Sequence, residues 1–414
     1  MDIFAAWRDG GTELRWRSST PANDGKEVTV FTRRCGTPGA PALVCVHGFP
    51  TSSIDYFAVA RELDTDFDIF VLDFPGYGLS DKPPAPYVYS LYDDARLLVH
   101  AITQVWKLTE FRMLIHDRGS SVGMIALGML ASQEPPAAPV DVVMTNANIF
   151  LPLANLTAFQ NALLDPATAG ATASATTPEL LAAGLAASTF MPRRTLADPE
   201  IAALAKCFAH NDGIRVLPDT IRYLHERAAD ETSWLEMLAR SDVNTTLVWG
   251  LHDNVSPVRV ANHVWQTYLK RKSGRNRYWI VPSADHYVQC DAPAQLADII
   301  RLTAETDDIA LQTLGTGPTV RCSWIEATRS SRRRRLVPRG GAGQCISCRS
   351  SAGGVTGSSR PRRGPPQAAV DSGPPQAAVD KGPPGASLPE TTVLGAADGH
   401  DHGLGYLLTT SVAR

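Results

Sequence analysis

No stretch of eighteen or more apolar residues occurs in this 414-residue chain, so no segment is long enough to form a membrane-spanning helix. The opening residues, Met1-Asp2-Ile3-Phe4-Ala5-Ala6-Trp7-Arg8-Asp9, also lack the basic, apolar, small-residue order of a secretory leader. A cytoplasmic protein with no membrane insertion is the expectation. An excess of one charge sign is missing too: 39 Lys and Arg against 42 Asp and Glu leave a net −3, which supplies no field to gather nucleic acid or an anionic membrane. The expected partners are a small-molecule substrate and water, with no nucleic acid. The seven cysteines are scattered and odd in number, and only Cys345-Ile346-Ser347-Cys348 is close-spaced. One such pair cannot make a four-ligand zinc site, so neither a metal nor a cofactor is implied.

Aromatics fail along the last quarter. From residue 306 there is no Phe, only Trp324 and Tyr406 remain, and Gly, Pro, Ser and Arg dominate. So little apolar surface cannot offset chain entropy, and 306–414 is expected to be a disordered Pro/Gly/Arg-rich tail. It holds the near repeat Gly364-Pro365-Pro366-Gln367-Ala368-Ala369-Val370-Asp371, begun again at Gly373, which reads as a spacer. Arg332-Arg333-Arg334-Arg335 reads as a solvated charge run there.

What precedes the tail is rich in regular pattern. Alternating segments at 13–17 and 27–32 read as antiparallel edge strands, and the apolar runs at 42–46 and 67–72 as buried strands. Helical patterns at 54–63, 91–106 and 120–131 alternate with strands at 111–115 and 140–145, as in an open, mostly parallel sheet covered on both faces. Between 150 and 241 the pattern is helical and Ala-rich with no strand signal. Strands resume at 245–249 and 278–281, with helices at 262–270 and 294–303 closing the order. The expected organisation is a core over 1–149, a helical lid over 150–241, the rest of the core over 242–305, and the tail.

Chemistry concentrates at Met113-Leu114-Ile115-His116-Asp117-Arg118-Gly119-Ser120-Ser121-Val122-Gly123, where an apolar run stops at an acid and a small-residue helix start follows. Such a strand-to-helix corner pushes one side chain out above the sheet. Two registers compete for it. Gly119-Ser120-Ser121-Val122-Gly123 satisfies Gly-x-Ser-x-Gly, with Ser121 as an esterase nucleophile. That register would bury His116, Asp117 and Arg118 in a central strand, at several kcal/mol unless paired. With Asp117 at the tip the strand is apolar, and Val122, Ile125, Ala126 and Met129 share one helix face. Asp117 would then attack as a carboxylate, forming an alkyl ester with carbons that bear a halide or an epoxide oxygen. Ile115, two places before the tip, is larger than this corner usually accepts.

The remaining parts follow in order. His47-Gly48-Phe49-Pro50 ends a strand, and the backbone N–H groups of Phe49 and Arg118 would form the oxyanion hole. Asp73-Phe74-Pro75-Gly76-Tyr77-Gly78 ends the next strand. Trp249-Gly250-Leu251-His252-Asp253 and Ser283-Ala284-Asp285-His286 place an acid and then a histidine after later strands, so Asp253 would orient His286 as the base that activates water. His116 is the rival base.

With those motifs set out, the chain over 25–305 resembles α/β-hydrolases of the epoxide hydrolase and dehalogenase branch. His116-Asp117-Arg118-Gly119-Ser120 is similar to its His-Asp-x-Gly-Gly elbow and His47-Gly48-Phe49-Pro50 to its His-Gly-x-Pro motif. The resemblance implies an α/β-hydrolase fold with an inserted helical lid, a covalent aspartyl ester, and a cis Phe49-Pro50 bond. The Asp73 to Pro83 segment and the lid spacing also look like the mesoderm-specific-transcript group. Haloalkane dehalogenases clamp halide with a Trp and an Asn or Trp at places that hold Arg118 and Phe49 here. Epoxide hydrolases use two lid tyrosines, and Tyr223 is the only Tyr between residues 93 and 267, either a substrate-binding donor or a packing residue beside Ile221 and Leu224. Haloacid dehalogenases hold a substrate carboxylate with arginines, a role open to Arg118 unless it pairs with a nearby acid; their second arginine is replaced by Ser121. A serine esterase, a binding protein on a hydrolase scaffold, and a hydrolase with a non-covalent Asp117 are the other readings.

Overall fold

The structure, a computed structural model, describes residues 1–134 and 137–304; the tail expected from 306 lies outside the described residues. Eight strands form one sheet: β1 (Gly11–Arg17), β2 (Glu27–Gly36), β3 (Ala42–Val46), β4 (Asp68–Leu72), β5 (Arg112–His116), β6 (Asp141–Thr145), β7 (Asn244–Gly250) and β8 (Arg277–Val281). Their order across the sheet is β1-β2-β4-β3-β5-β6-β7-β8. β2 runs antiparallel to both its neighbours, β1 and β4, and the other pairings are parallel. Both faces of the parallel part are covered, and accordingly every residue of β4 and β6 is buried, whereas the edge strand β1 alternates.

The helices of the first half are α1 (Ile3–Asp9), α2 (Phe57–Glu62), α3 (Leu91–His100) and α4 (Arg118–Ala131). α1 had no counterpart in the periodicity analysis. It is one short helix whose N-cap Asp2 accepts from Ala5 N–H, and it is fixed by burying Ile3 and Trp7, the latter donating its indole N–H to Ser53 Oγ at 3.1 Å. The helix expected over 91–106 is α3 continued by one wider turn, Ala101–Val105. Its counterpart near 262–270 starts earlier, after Pro257, as α11 below.

Between β6 and β7 the described residues form helices and no strand: α5 (Ala158–Leu164), α6 (Ala169–Ala175), α7 (Pro178–Ser188), α8 (Pro199–Ala209), α9 (Leu217–Thr220) and α10 (Tyr223–Arg240). α10 lies against α4, burying Trp234, Leu235 and Leu238. Then follow α11 (Val258–Val264), α12 (Val288–Asp291) and α13 (Pro293–Ala304). None of the described helices is long and apolar enough to cross a membrane.

The chain leaves β3 toward β4 on one side and returns to β5 on the other, so the loops after β3 and β5 diverge at the carboxyl ends of neighbouring strands. Open parallel sheets form their crevices at such switch points. Val46 pairs with Ile115 and His116 with Thr145, which brings the ends of β3, β5 and β6 level. Everything below is built on that edge.

Candidate active site

Asp117 stands at the corner between β5 and α4 with φ 46° and ψ −117°, a backbone conformation costly for a residue with a side chain. α4 packs closely on β3: a Cβ on Gly119 would lie 2.2 Å from Val46 O and 2.6 Å from His47 O. The bulk of Ile115 is accommodated from the other side, because Gly123 faces it; a Cβ there would sit 2.9 Å from Ile115 Cγ2.

Ser121 falls one turn inside α4, fully buried, where its Oγ accepts from Arg227 Nε at 3.0 Å. The register with Ser121 at the corner is therefore absent from the structure. It is the carboxylate that reaches the other motifs: Asp117 Oδ1 accepts from Phe49 N–H at 2.9 Å, and Oδ2 lies 3.8 Å from His286 Nε2. The Phe49-Pro50 bond is cis.

His286 is held from behind by Asp253, whose Oδ2 accepts from Nδ1 at 2.9 Å. Asp253 in turn accepts from Val255 N–H at 2.7 Å, Ser256 N–H at 2.9 Å and Asn146 Nδ2 at 2.7 Å. Burial alone would raise the Asp253 pKa, but the imidazole and these donors outweigh it and leave it lowered. For His286 burial opposes the charge, yet the carboxylates of Asp253 and Asp117 raise it to about 9. The proton on His286 is thus favoured by the carboxylates on either side of the ring.

The two other buried histidines are neutral. His116, lowered to about 3 by burial and by the nearby His286, places Nδ1 3.2 Å from both Thr145 O and Thr145 Oγ1. Its ring lies 5.0 Å from that of His286, tilted by 56°, with Nδ1 turned to β6. His47, likewise lowered to about 3 by burial, accepts from Phe74 N–H at 3.1 Å and so ties the loop after β3 to the loop after β4.

A cavity of about 340 Å³ opens over Asp117 and His286. Phe49, Pro50, Val255 and Tyr287 line its core side, and Thr157, Phe159, Gln160, Leu181, Leu185 and Thr189 its lid side. Apart from Asp117 and His286 the lining carries no charge. Among the described residues no group of three or more His, Cys, Asp or Glu could hold a metal ion.

Two expected substrate ligands stand elsewhere. Arg118 is 1% exposed, paired with Asp94 on α3, and its guanidinium lies 4.9 Å from the Tyr77 ring centroid and 5.5 Å from those of Phe74 and Tyr223. Held by Asp94 through Nη2 alone, with Nε and Nη1 buried and unpartnered inside an aromatic cage, the guanidinium stands outside the cavity lining, so only the backbone N–H of Arg118 remains available to the site. Tyr223 packs its ring 5.8 Å from Phe49, and its buried hydroxyl has no hydrogen-bond partner. It also stands outside the lining. Burial, then the charge of Asp117, raise its pKa and make it a poor acid.

Three participants escaped the sequence reasoning. Asn146 follows β6 with φ 39° and bridges Asp253 and Gly250 N–H, a position where Asn tolerates the left-handed region and its amide reaches both neighbours. Arg227 reaches from the lid helix α10 to Ser121, the carbonyl of Asn148 and, at 3.3 Å, the carbonyl of Asp117. Asp94 receives Arg118. The Asn after a strand was a readable signal; the pairings of Arg227 and Asp94 span 24 to 110 residues and had none.

Comparison with known proteins agrees with this fold. Residues 41–293 match the family described as alpha/beta hydrolase fold. LipZ of Mycobacterium tuberculosis, which is named as a hydrolase, is 31% identical over 299 residues, 70% of this chain and 94% of that protein. The human mesoderm-specific transcript homolog protein is 26% identical over 269 residues, 62% of this chain and 78% of that protein. Among solved structures, a haloalkane dehalogenase from Bradyrhizobium elkani superposes with TM-score 0.56 at 18% identity, over 71% of this chain and 99% of that one. A thermophilic esterase from Thermogutta terrifontis gives TM-score 0.55 at 16% identity, over 70% of this chain and 97% of that one. At those identities the structural matches speak to fold alone.

Proposed function

Because the chain belongs to the alpha/beta hydrolase fold family, we infer that it is a hydrolase working through a covalent ester on Asp117, with carbon–halide or epoxide electrophiles as substrates. The observation that carries this is the residue at the corner: a carboxylate facing His286 above an apolar cavity, with the serine of the competing motif turned inward. In the first step a lone pair of Asp117 Oδ2 forms the oxygen–carbon bond as the bond to the departing atom breaks. Phe49 N–H holds Oδ1 throughout, and the N–H of Arg118 is its expected companion.

The ester removes one of the two negative charges that face His286, so its pKa falls and the imidazole becomes free to act as a base. Water then adds to Asp117 Cγ, giving its proton to Nε2, while Asp253 holds Nδ1 and stabilises the imidazolium. Collapse expels the alcohol, which takes up a proton, and restores the carboxylate with one oxygen from water.

Hydrolysis in heavy-oxygen water tests the reading: label should enter Asp117 after multiple turnovers, and Asp117→Ala should abolish turnover while Ser121→Ala retains it. Full activity of the aspartate variant on a nitrophenyl ester, with phosphonate labelling of Ser121, would establish the serine esterase instead.

A further inference from the structure

Displacement at saturated carbon runs in line, so the departing atom gathers charge opposite Asp117, against the lid. Most polar side chains there have already committed their protons. Thr176 Oγ1 donates to Thr172 O at 2.7 Å, Ser188 Oγ to Gly184 O at 2.7 Å and Thr189 Oγ1 to Leu185 O at 2.8 Å, each spending its single hydrogen on the turn before it. Gln160 differs. It lines the cavity while only 8% exposed, and its Oε1 accepts from Thr157 N–H at 2.8 Å in a capping box completed by Gln160 N–H on Thr157 Oγ1 at 3.1 Å. A backbone N–H can only donate, so this contact fixes which end of the carboxamide is oxygen. The NH2 end is left with two hydrogens and no hydrogen-bond partner among the described residues.

We propose that the Gln160 amide receives the departing anion and thereby selects substrates whose leaving group is stable without a proton, a carbon-bound halide, over epoxides. The proposal rests on the aspartyl-ester reading above. For a halide the step balances with no proton transfer: the Asp117 lone pair makes the new bond, the carbon–halogen pair leaves with the halide, and an N–H of Gln160 meets its charge. An epoxide oxygen would depart as an alkoxide that needs a proton, and a carboxamide is far too weak an acid to give one. Phe49, beside Asp117, has no side-chain donor and the Arg118 guanidinium is paired with Asp94 outside the lining, so neither competes with the Gln160 amide for the departing anion.

The decisive substitution is Gln160→Glu, which keeps an acceptor for the helix cap while removing both donors. Gln160→Met removes the donors without adding charge. In the full chain carrying His286→Gln, which stalls at the ester, mass spectrometry follows alkylation of Asp117 by 1-bromohexane, 1-chlorohexane and styrene oxide. Expected are alkylation by the halides, little by the epoxide, and a loss of about 10- to 100-fold in halide rate in both Gln160 variants, the worth of a hydrogen bond to an ion, larger for chloride than bromide. Bromide binding to the free protein, read by calorimetry, should vanish in parallel while the melting temperature of the Glu variant holds. Undiminished halide alkylation in the Gln160 variants overturns the role of Gln160 and leaves the ester intact. Faster alkylation by the epoxide overturns the selection of halides, and no alkylation by any of the three overturns the ester and this proposal together.

Discussion

Replacing Asp253 by asparagine probes the charge balance on which the site depends. His286 is 3% exposed, and burial by itself would lower its pKa; Asp253, 2.9 Å from Nδ1, and then Asp117 reverse that and raise it from 6.5 to about 9. A rise of this size corresponds to about 3 kcal/mol of preferential proton binding by the folded state. Since the folded pKa lies above the unfolded one, that stabilisation is complete below pH 6.5 and is lost as the pH climbs through about 9. Asp253→Asn removes the largest raising influence and leaves burial opposed only by the weaker pull of Asp117 and then Asp285. The variant should therefore be less stable than the wild type by about 3 kcal/mol near pH 6, and the gap should close toward pH 10. Urea unfolding across that range, with the His286 ring followed by nitrogen-proton NMR, measures both quantities. Hydrolysis of the ester should slow on the order of 10³- to 10⁴-fold, because the wrong ring nitrogen then carries the proton. An imidazole that still titrates at about 9 in the variant, or a stability gap that does not narrow with rising pH, refutes the argument.

Other substitutions separate position from chemistry. Ser121→Ala removes the acceptor of Arg227 Nε and should cost about 1–3 kcal/mol in urea unfolding while turnover stays within a few-fold; loss of all turnover in a folded variant would return the serine to consideration. Gly119→Ala places a methyl group 2.2 Å from the carbonyl of Val46, so α4 must back away from β3; a sharp fall in melting temperature and in activity together is expected, and a neutral result would mean the corner relaxes freely. Arg118→Met strips Asp94 of its buried cation and should destabilise by about 3–5 kcal/mol, with KM of the surviving folded fraction unchanged; a selective rise in KM for anionic substrates would instead place the guanidinium on the substrate.

Much of the architecture was legible because burial writes itself into pattern. β3 coincides with the apolar run 42–46, and the parallel core strands follow the other apolar runs to within a residue or two, since a strand covered on both faces is mostly apolar and keeps its polar residues, such as Asp68, Asp141 and His116, at its ends. α1 was not legible: seven residues are too few for a periodicity, and the helix exists because Ile3 and Trp7 find a place on the finished fold. The competition between Asp117 and Ser121 could be framed from local charge, but the weight given to Ile115 was misplaced, because the relief comes from Gly123 eight residues later, one helical face across from it. Arg118 and Tyr223 show the opposite limit. Their types suit substrate binding, and only the position of Asp94 and the packing of Phe49 turn them away from the cavity.

By itself the order of residues determined the alternation of strand and helix, the long helical segment between β6 and β7, and which candidate residues fall at strand ends, because each depends on spacing along the chain or on the chemistry of one short turn. Which side chains look at one another was decided by the tertiary structure. The switch point between β3 and β5 brings Phe49 N–H, Asp117 and His286 together across 237 residues of sequence (286 − 49), and the lid supplies Gln160 and Arg227 from helices that carry no motif. Contacts between distant segments depend on how whole elements pack, and packing leaves no local mark in the sequence.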